Sequence, residues 1–379
     1  MKLSLDDSGR YHRQELITWW DQGKLKASKV LVVGAGAIGN EVVKNLALVG
    51  VGTIKVCDMD TIENSNLARC AFFREADQGF YKAEVLARRA QELNADINIE
   101  GFSKSVQSLG AGFFAQFDLI IGALDNREAR VWVNQIARKL GIPWIDGAIE
   151  GLRGIVRMFD VTGPCYNCTL SEADYVGMSH RRSCALLAPE EIVSGKTPTN
   201  ASTSSIVAGV QVQEAIKYLV GKPEMLSLVG SCWVFVGDSM TSYVTRYQED
   251  VECVAHDRYE NLQHLGSVAT MQEILTSARS HFGNSNDIYF DFEDDIVYLS
   301  PCSEHGGART VAFRSSMKLG AGLCSICGDE LVGNISSSVD SEDEILSLTL
   351  FELGAPENEI VTARQGMDRV HFLLERANV

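Results

Sequence analysis

Residues Val30–Gly39 read Val-Leu-Val-Val-Gly-Ala-Gly-Ala-Ile-Gly. The aliphatic run predicts a strand buried on both faces, and Gly34-x-Gly36-x-x-Gly39 follows it at once and opens a helix. Glycines at that spacing let the backbone turn tightly and approach a phosphate, whose charge the helix N-terminus favours. The next strand-like run, Thr53–Cys57, ends at Asp58-Met59-Asp60. An acidic side chain there suits a ribose hydroxyl, with Asp60 on the same face of an extended chain as Asp58. Alone, this fingerprint reads most plainly as a nicotinamide or flavin dinucleotide fold, and so as an NAD-dependent oxidoreductase. Asn66, Arg69 and Lys82 shift that reading. They add an amide and two cations just past the nucleotide strand, where hydride transfer has little use for them and a triphosphate being cleaved does.

Outward from this stretch, strand-like runs alternate with helical ones up to about residue 160: Ile97–Phe102, Asp118–Gly122 and Trp144–Gly147, with helices such as Lys82–Asn94 and Arg127–Leu140 between them. That alternation predicts an α/β fold, a doubly wound, mostly parallel Rossmann-like sheet covered by helices. Gly151–Val161 and Leu228–Tyr247 predict an antiparallel extension, separated from each other by a polar crossover at 169–201 and a helix over Ser202–Val220. Asp125-Asn126 closes the strand Asp118–Gly122 at the end where open α/β sheets bind ligands. A carboxylate there can hold Mg²⁺ against a triphosphate, or the pair can simply cap the next helix. A boundary near His256–Asn261 divides a larger domain, 1–257, from a smaller α+β domain, 258–379. In the latter the sequence predicts a helix over Val268–Phe282, an acidic strand pair around Asp287–Leu299 and a solvated acidic loop over Ser336–Glu344.

The formal net charge of −16 argues against nucleic acid or an anionic membrane as the main partner. Met1–Arg10 lacks an apolar signal core and no run is long enough to span a bilayer, so a cytoplasmic protein is expected. In that compartment ten cysteines point to metal or catalysis rather than disulfides. Cys57 and Cys232 lie in apolar strand-like runs and are expected to be buried and inert. Cys302-x-x-His305, eighteen residues, then Cys324-x-x-Cys327 has zinc-ribbon spacing with one thiolate exchanged for imidazole. Cys184 follows His180-Arg181-Arg182-Ser183, and cationic neighbours favour the reactive thiolate.

Residues 10–256 resemble the ubiquitin-activating superfamily, which includes the adenylating enzymes for molybdopterin synthase and for thiamine biosynthesis. The matching runs are Arg10–Gln14, Gly34–Gly39, Lys44–Leu48, Asp58–Ile62, Ser65–Arg69, Lys82–Val85 and Asp125-Asn126. Lys44–Leu48 and Ala201-Ser202-Thr203 are most similar to the activators of ubiquitin-like proteins. The resemblance implies ATP as the nucleotide, Asp58 on the ribose, Asn66, Arg69 and Lys82 on the phosphates, and Asp125 on magnesium. Arg13, a surface arginine on its own evidence, would reach across a homodimer interface into the partner's site. Cys165-x-x-Cys168 matches the family's first zinc pair, and Cys253-x-x-His256 stands where its second, usually two cysteines, would fall. A different pairing, of Cys165 and Cys168 with Cys324 and Cys327, is also open on sequence alone. Cys184 sits where thioester-forming activators carry their cysteine.

Two departures stand out: Cys70 replaces the usual glutamine after the arginine, and Gly79-Phe80-Tyr81-Lys82 replaces a Gly-x-Pro-Lys run. The implied reaction is adenylation of a ubiquitin-like protein's C-terminal carboxylate, then thioester formation and transfer to a conjugating enzyme. A sulfur-carrier adenylyltransferase without the thioester step is the alternative, and a catalytically silent binder is a third. Thr349–Pro356 faintly resembles the ubiquitin-fold domain with which activators recruit conjugating enzymes; an accessory zinc-bearing domain for dimerisation is the other reading of 258–379.

Overall fold

The computed structural model of the protein describes residues 9–175, 198–266, 269–283, 287–317, 321–355 and 358–375. The chain divides into two compact units, Met1–Val106 with Gln116–Arg258, and Gln107–Ala115 with Tyr259–Val379.

The first unit is built on an eight-stranded sheet of β1 (Lys29–Val33), β2 (Thr53–Cys57), β3 (Asn98–Phe102), β4 (Leu119–Gly122), β5 (Trp144–Glu150), β6 (Arg153–Phe159), β7 (Ser231–Val236) and β8 (Thr241–Arg246), in the order β3-β2-β1-β4-β5-β6-β7-β8. The five strands from β3 to β5 pair in parallel, and β5 through β8 pair antiparallel. Because β1 pairs with β2 on one side and with β4 on the other, the chain reverses its direction of winding there, and a crevice opens beyond the strand ends. Four of the five β1 residues are buried, as a strand covered by helices on both faces requires.

Among the described residues, the helices of this unit include the short α1 (His12–Glu15), α2 (Gln22–Ala27), α3 (Ala37–Val49), α4 (Lys82–Leu93), α6 (Arg127–Leu140) and α7 (Ala201–Leu219), with α5 (Ala111–Phe114) grouping with the second unit. Leu46, Ala47, Val42 and Val43 of α3 meet Val207, Ala208, Val212 and Ala215 of α7 in one continuous core. Alanine and valine at these positions let the two helices pack closely over the parallel strands.

The second unit has a six-stranded sheet of β9 (Leu262–Gly266), β10 (Tyr289–Leu299), β11 (Thr310–Phe313), β12 (Gly333–Asp340), β13 (Ile360–Gln365) and β14 (Asp368–Glu375), ordered β11-β10-β13-β14-β9 with β12 also on β10. Helix α8 (Met271–His281) buries Met271, Ile274, Leu275 and Ala278 in a core with Phe290, Phe313, Val361 and Phe372. Thr270 and Glu273 form a reciprocal capping box at its start.

Two expectations for this unit are corrected. The stretch around Asp287–Leu299 is one strand, β10, and its acidic residues fall where the β10–β12 register shifts between Asp291 and Ile296. The Ser336–Glu344 run is not a loop: it continues β12 to Asp340 and then turns. Ser336 and Ser338 pair through the backbone with β10, and Val339 is buried in the core of this unit. Asp343 is engaged as well, accepting from the Tyr298 hydroxyl at 3.1 Å and from the Ile345 amide at 3.1 Å.

All five tryptophans precede residue 234 and so report on the first unit. Ile54→Ala, at a site wholly excluded from solvent, should lower that unit's stability by about 2–5 kcal/mol. Denaturant titration followed by tryptophan fluorescence reads this as a lower midpoint.

Candidate functional site

The crevice beyond β1 is shaped by glycines. Gly34 has φ +105°, and a Cβ there would collide with the carbonyl of Ala123 at the exit of β4. A Cβ at Gly39 would strike the Gly34 carbonyl, so α3 can begin this close to the strand only with glycine in place. At Gly36, the N-cap, a Cβ would meet no atom within 4 Å. As at any helix start, the first-turn amides of α3 lack intrahelical partners, and an open N-cap beside them suits an anion. Asn40 locks the loop from behind: its amide donates to Ala35 at 2.9 Å and Gly36 at 3.2 Å, and its oxygen accepts from the Phe72 amide at 3.0 Å. Asn40 is fully buried, and nothing in the sequence separates it from an ordinary helical asparagine.

Asp58 accepts from the Ala35 amide at 2.6 Å through one oxygen and from the Asp60 amide at 2.8 Å through the other. Burial raises its pKa above the ordinary carboxylate value, against the opposing pull of Lys82 and these amides. A short antiparallel pairing of Thr61 with Tyr81 brings Lys82 back to the strand end, where its ammonium meets Asp60 at 2.7 Å. Burial acts to lower the Lys82 pKa, but the bond to Asp60 and the charge of Asp58 leave it raised, so the ammonium stays charged. Gly79-Phe80-Tyr81 therefore delivers the lysine without a proline.

Asn66 is buried, and its side-chain oxygen accepts from the Glu63 amide at 2.9 Å to close a 3₁₀ turn. That turn presents Arg69, half-buried, which makes no ion pair with any described residue. Cys70, in the place of the usual glutamine, is buried, and its thiol is pushed up to about 11 by burial although Arg69 and Lys82 pull it down. Burial thus favours its protonated, less reactive form. The Cys57 thiol, likewise buried, is pushed up to about 12 and donates to the Lys104 carbonyl at 3.2 Å.

Asn126 caps α6, accepting from the Ala129 amide at 2.7 Å, whereas Asp125 is exposed and makes no ion pair with any described residue. The capping reading thus holds for the asparagine and leaves the carboxylate available. Beneath it lies a group the sequence did not announce. Asp146 on β5 is fully buried between Arg130, 3.0 Å away, and Arg157, 2.5 Å away. Arg130 also donates to the Leu124 carbonyl, immediately before Asp125.

Cys165, Cys168, Cys253 and His256 converge, with all four ligand atoms within 4.8 Å of one another. Their spacing fits a tetrahedron. Zinc–sulfur bonds of about 2.3 Å place sulfurs about 3.8 Å apart, and Cys165 lies 3.7 Å from both Cys168 and Cys253. His256 presents Nε2 to Cys168 at 3.2 Å and turns Nδ1 toward Glu249 at 3.8 Å. Burial and Arg138 lower its pKa, which favours the neutral ligand form. In the second unit Cys302, His305, Cys324 and Cys327 form a separate set, with Cys302 at 3.8 Å from Cys327 and 3.6 Å from His305 Nδ1. Both sets have the soft donors and closed geometry of structural zinc sites. Cys165 and Cys168 do not share a set with Cys324 and Cys327, so that open pairing is not the one formed.

Arg13 is exposed on α1, and Cys184 lies outside the described residues. Among the described residues no helix is long and apolar enough to cross a membrane.

The family model for ThiF proteins matches residues 11–253. The chain belongs to the ThiF family. It is 32% identical over 259 residues to the SAMP-activating enzyme E1 of Haloferax volcanii, covering 67% of this chain and 91% of that one. The sulfur carrier protein adenylyltransferase of Thermus thermophilus is 34% identical, with 59% of this chain and 82% of the relative covered. The catalytic subunit of the NEDD8-activating enzyme E1 from Caenorhabditis elegans is 39% identical over 160 residues, but the match spans only 37% of that protein. The fold is similar to that of Escherichia coli MccB in its complex with ATP, at a TM-score of 0.55 and 24% identity over 66% of this chain and 75% of that one. As a family member the chain is an ATP-dependent adenylyltransferase of the activating-enzyme type, and the nicotinamide reading falls away.

Gly36→Ala should fold with a near-parental melting temperature yet bind ATP more weakly by calorimetry, because its Cβ intrudes only on the anion cradle. Gly39→Ala should instead lower the melting temperature, since its Cβ meets backbone. Metal analysis of the purified protein should find two zinc ions per chain. Cys302→Ser with His305→Ala should reduce this to one, and chelation should lower the melting temperature of the parent.

Proposed function

We propose that this chain activates the C-terminal carboxylate of a ubiquitin-like protein with ATP and then carries the acyl group as a thioester on Cys184. The observation that carries the first step is that Arg69 and Asp125, near the anion cradle, make no ion pair with any described residue, while Lys82 stays charged beside Asp58 and Asp60. A carboxylate is already ionised at neutral pH, so attack on the α-phosphorus needs no general base. A new oxygen–phosphorus bond forms, the bond to the β-phosphate bridge breaks, and diphosphate leaves with its electron pair. Catalysis is then positioning and charge neutralisation by Arg69, Lys82 and the partner copy's Arg13, with Asn66 fixing the Arg69 turn. Asp58 and Asp60 hold the ribose. Asp125, with Asn126 fixing its backbone, would hold Mg²⁺, which supplies charge to the phosphates. In the second step the Cys184 thiolate attacks the acyl carbon and AMP departs. The acyl group then passes to a conjugating enzyme, for which the acidic second unit offers a complementary surface to a basic helix.

The use of Arg13 makes the active form a homodimer. The two Cys/His sets would hold zinc, one in the first unit and one in the second. A second reading stops at the acyl-adenylate and supplies a sulfur carrier. The Thermus thermophilus relative, 82% covered, supports it, as the SAMP-activating enzyme E1, 91% covered, supports the first reading.

ATP–diphosphate exchange with candidate small proteins ending in a flexible tail tests both readings. Arg69→Ala and Asp125→Ala should each slow exchange by about 10²–10³-fold without a loss of melting temperature. Cys184→Ala should retain exchange and lose a reducible covalent band with the small protein. Exchange without any such band in the parent selects the sulfur-carrier reading, and no exchange with any tailed partner rejects adenylation.

A further inference from the structure

The adenylation chemistry leaves one buried charge cluster without a role. Asp146 is wholly excluded from solvent and carries an arginine on each oxygen, Arg130 at 3.0 Å and Arg157 at 2.5 Å. Three charges in such a place are expensive, and apolar residues of the same volume would often serve stability as well or better. The cluster is explained by what its outer ends touch. Arg130 spends a further donor on the Leu124 carbonyl, and on the other side of Asp125 the Asn126 side chain caps α6 through the Ala129 amide at 2.7 Å. The backbone of Asp125 is therefore held from both neighbours while its carboxylate stays exposed.

At the opposite end the Arg157 guanidinium lies 5.0 Å over the ring of Tyr166. Tyr166 sits between Cys165 and Cys168, and its amide donates to Asn134 on α6 at 2.9 Å. Asn134 also accepts from the Trp144 indole at 3.2 Å and donates to Asn167 at 2.9 Å. A continuous set of directed contacts thus runs from the cysteine knuckle through Arg157, Asp146 and Arg130 to the loop that bears Asp125. An arginine is suited to this because its planar fork binds two acceptors in fixed directions, which a lysine cannot do.

We propose that Arg130, Asp146 and Arg157 are positioning residues for adenylation, aiming the Asp125 carboxylate from a scaffold anchored in the cysteine knuckle. The proposal rests on the adenylation reading above. None of the three touches substrate; they act through Asp125. Misplacement of a catalytic group by about 1 Å can cost on the order of 10²-fold in rate.

The test is a double-mutant cycle in ATP–diphosphate exchange, with melting temperatures measured on every variant and all assays run below them. Arg130→Lys, and in parallel Asp146→Asn, should each lower kcat by about 10–100-fold, leave KM for the small protein unchanged and raise the magnesium concentration needed for half-maximal rate. In an Asp125→Ala background the same changes should cost less than about twofold more, because the group they aim is gone. Full additivity in that background, or parental kcat and magnesium dependence in either single variant, overturns the proposal while the adenylation reading stands. A parent that exchanges with no tailed partner overturns the adenylation reading, and this one with it.

Discussion

The approach of Gly34 to Ala123 is the constraint on which the first unit's site depends. Strands β1 and β4 leave the sheet side by side, and only a residue without a Cβ, at φ +105°, lets the two exits touch. That contact sets the glycine loop and the start of α3 on one flank and the Leu124–Asn126 loop on the other. An anion cradle made of backbone amides and a carboxylate able to take a divalent cation become neighbours through a steric condition, before any charge is considered. Asn40 then fixes the cradle to Phe72, so the Asn66–Arg69 turn and the glycine loop cannot drift apart independently.

What was legible in the chain follows from locality. The glycine spacing, the acidic residues after β2 and the Cys-x-x-Cys and Cys-x-x-His pairs are each set within a few residues, so their local geometry can be read without the fold. Partnership between distant pairs is a different matter. Cys165 and Cys253 meet because β6, α7, β7 and β8 return the chain to its starting edge, and sequence spacing does not encode that return. The Asp146 cluster was invisible for a related reason: an aspartate in a strand reads as an end or an edge until two arginines from α6 and β6 are seen to close on it. Ser336–Glu344 reads as a loop because its serines and acidic residues hide the one apolar residue, Val339, that β12 buries while its backbone pairs with β10.

The three thiols nearest the sheet core illustrate how burial sorts cysteines. Cys57 and Cys70 are held protonated by desolvation, at about 12 and about 11, even with Lys82 close to the second. Cys232 is raised by the same cause. Cations alone do not activate a thiol; the charged form also needs access to water or to directed donors. Cys70, despite its place beside Arg69, is thus biased toward its protonated form.

The overall charge of −16 sharpens the case for local cation placement. A triphosphate approaching such a chain meets a repulsive long-range field, so its recognition must be carried by short-range donors that are already in position. Lys82 meets that requirement through Asp60. The ion pair holds the ammonium at the strand end, where Lys82 is mostly buried and Asp60 is half exposed. An ammonium has three donors, so bonding one phosphate oxygen does not require Asp60 to leave. Under the function proposed above, the carboxylate would orient the lysine before the nucleotide arrives and lower the reorganisation that binding would otherwise demand. Arg69 is placed by other means, since its turn is closed by the buried Asn66. Under the function proposed above, two cations held by different devices would in this way offset the repulsive field of the rest of the surface.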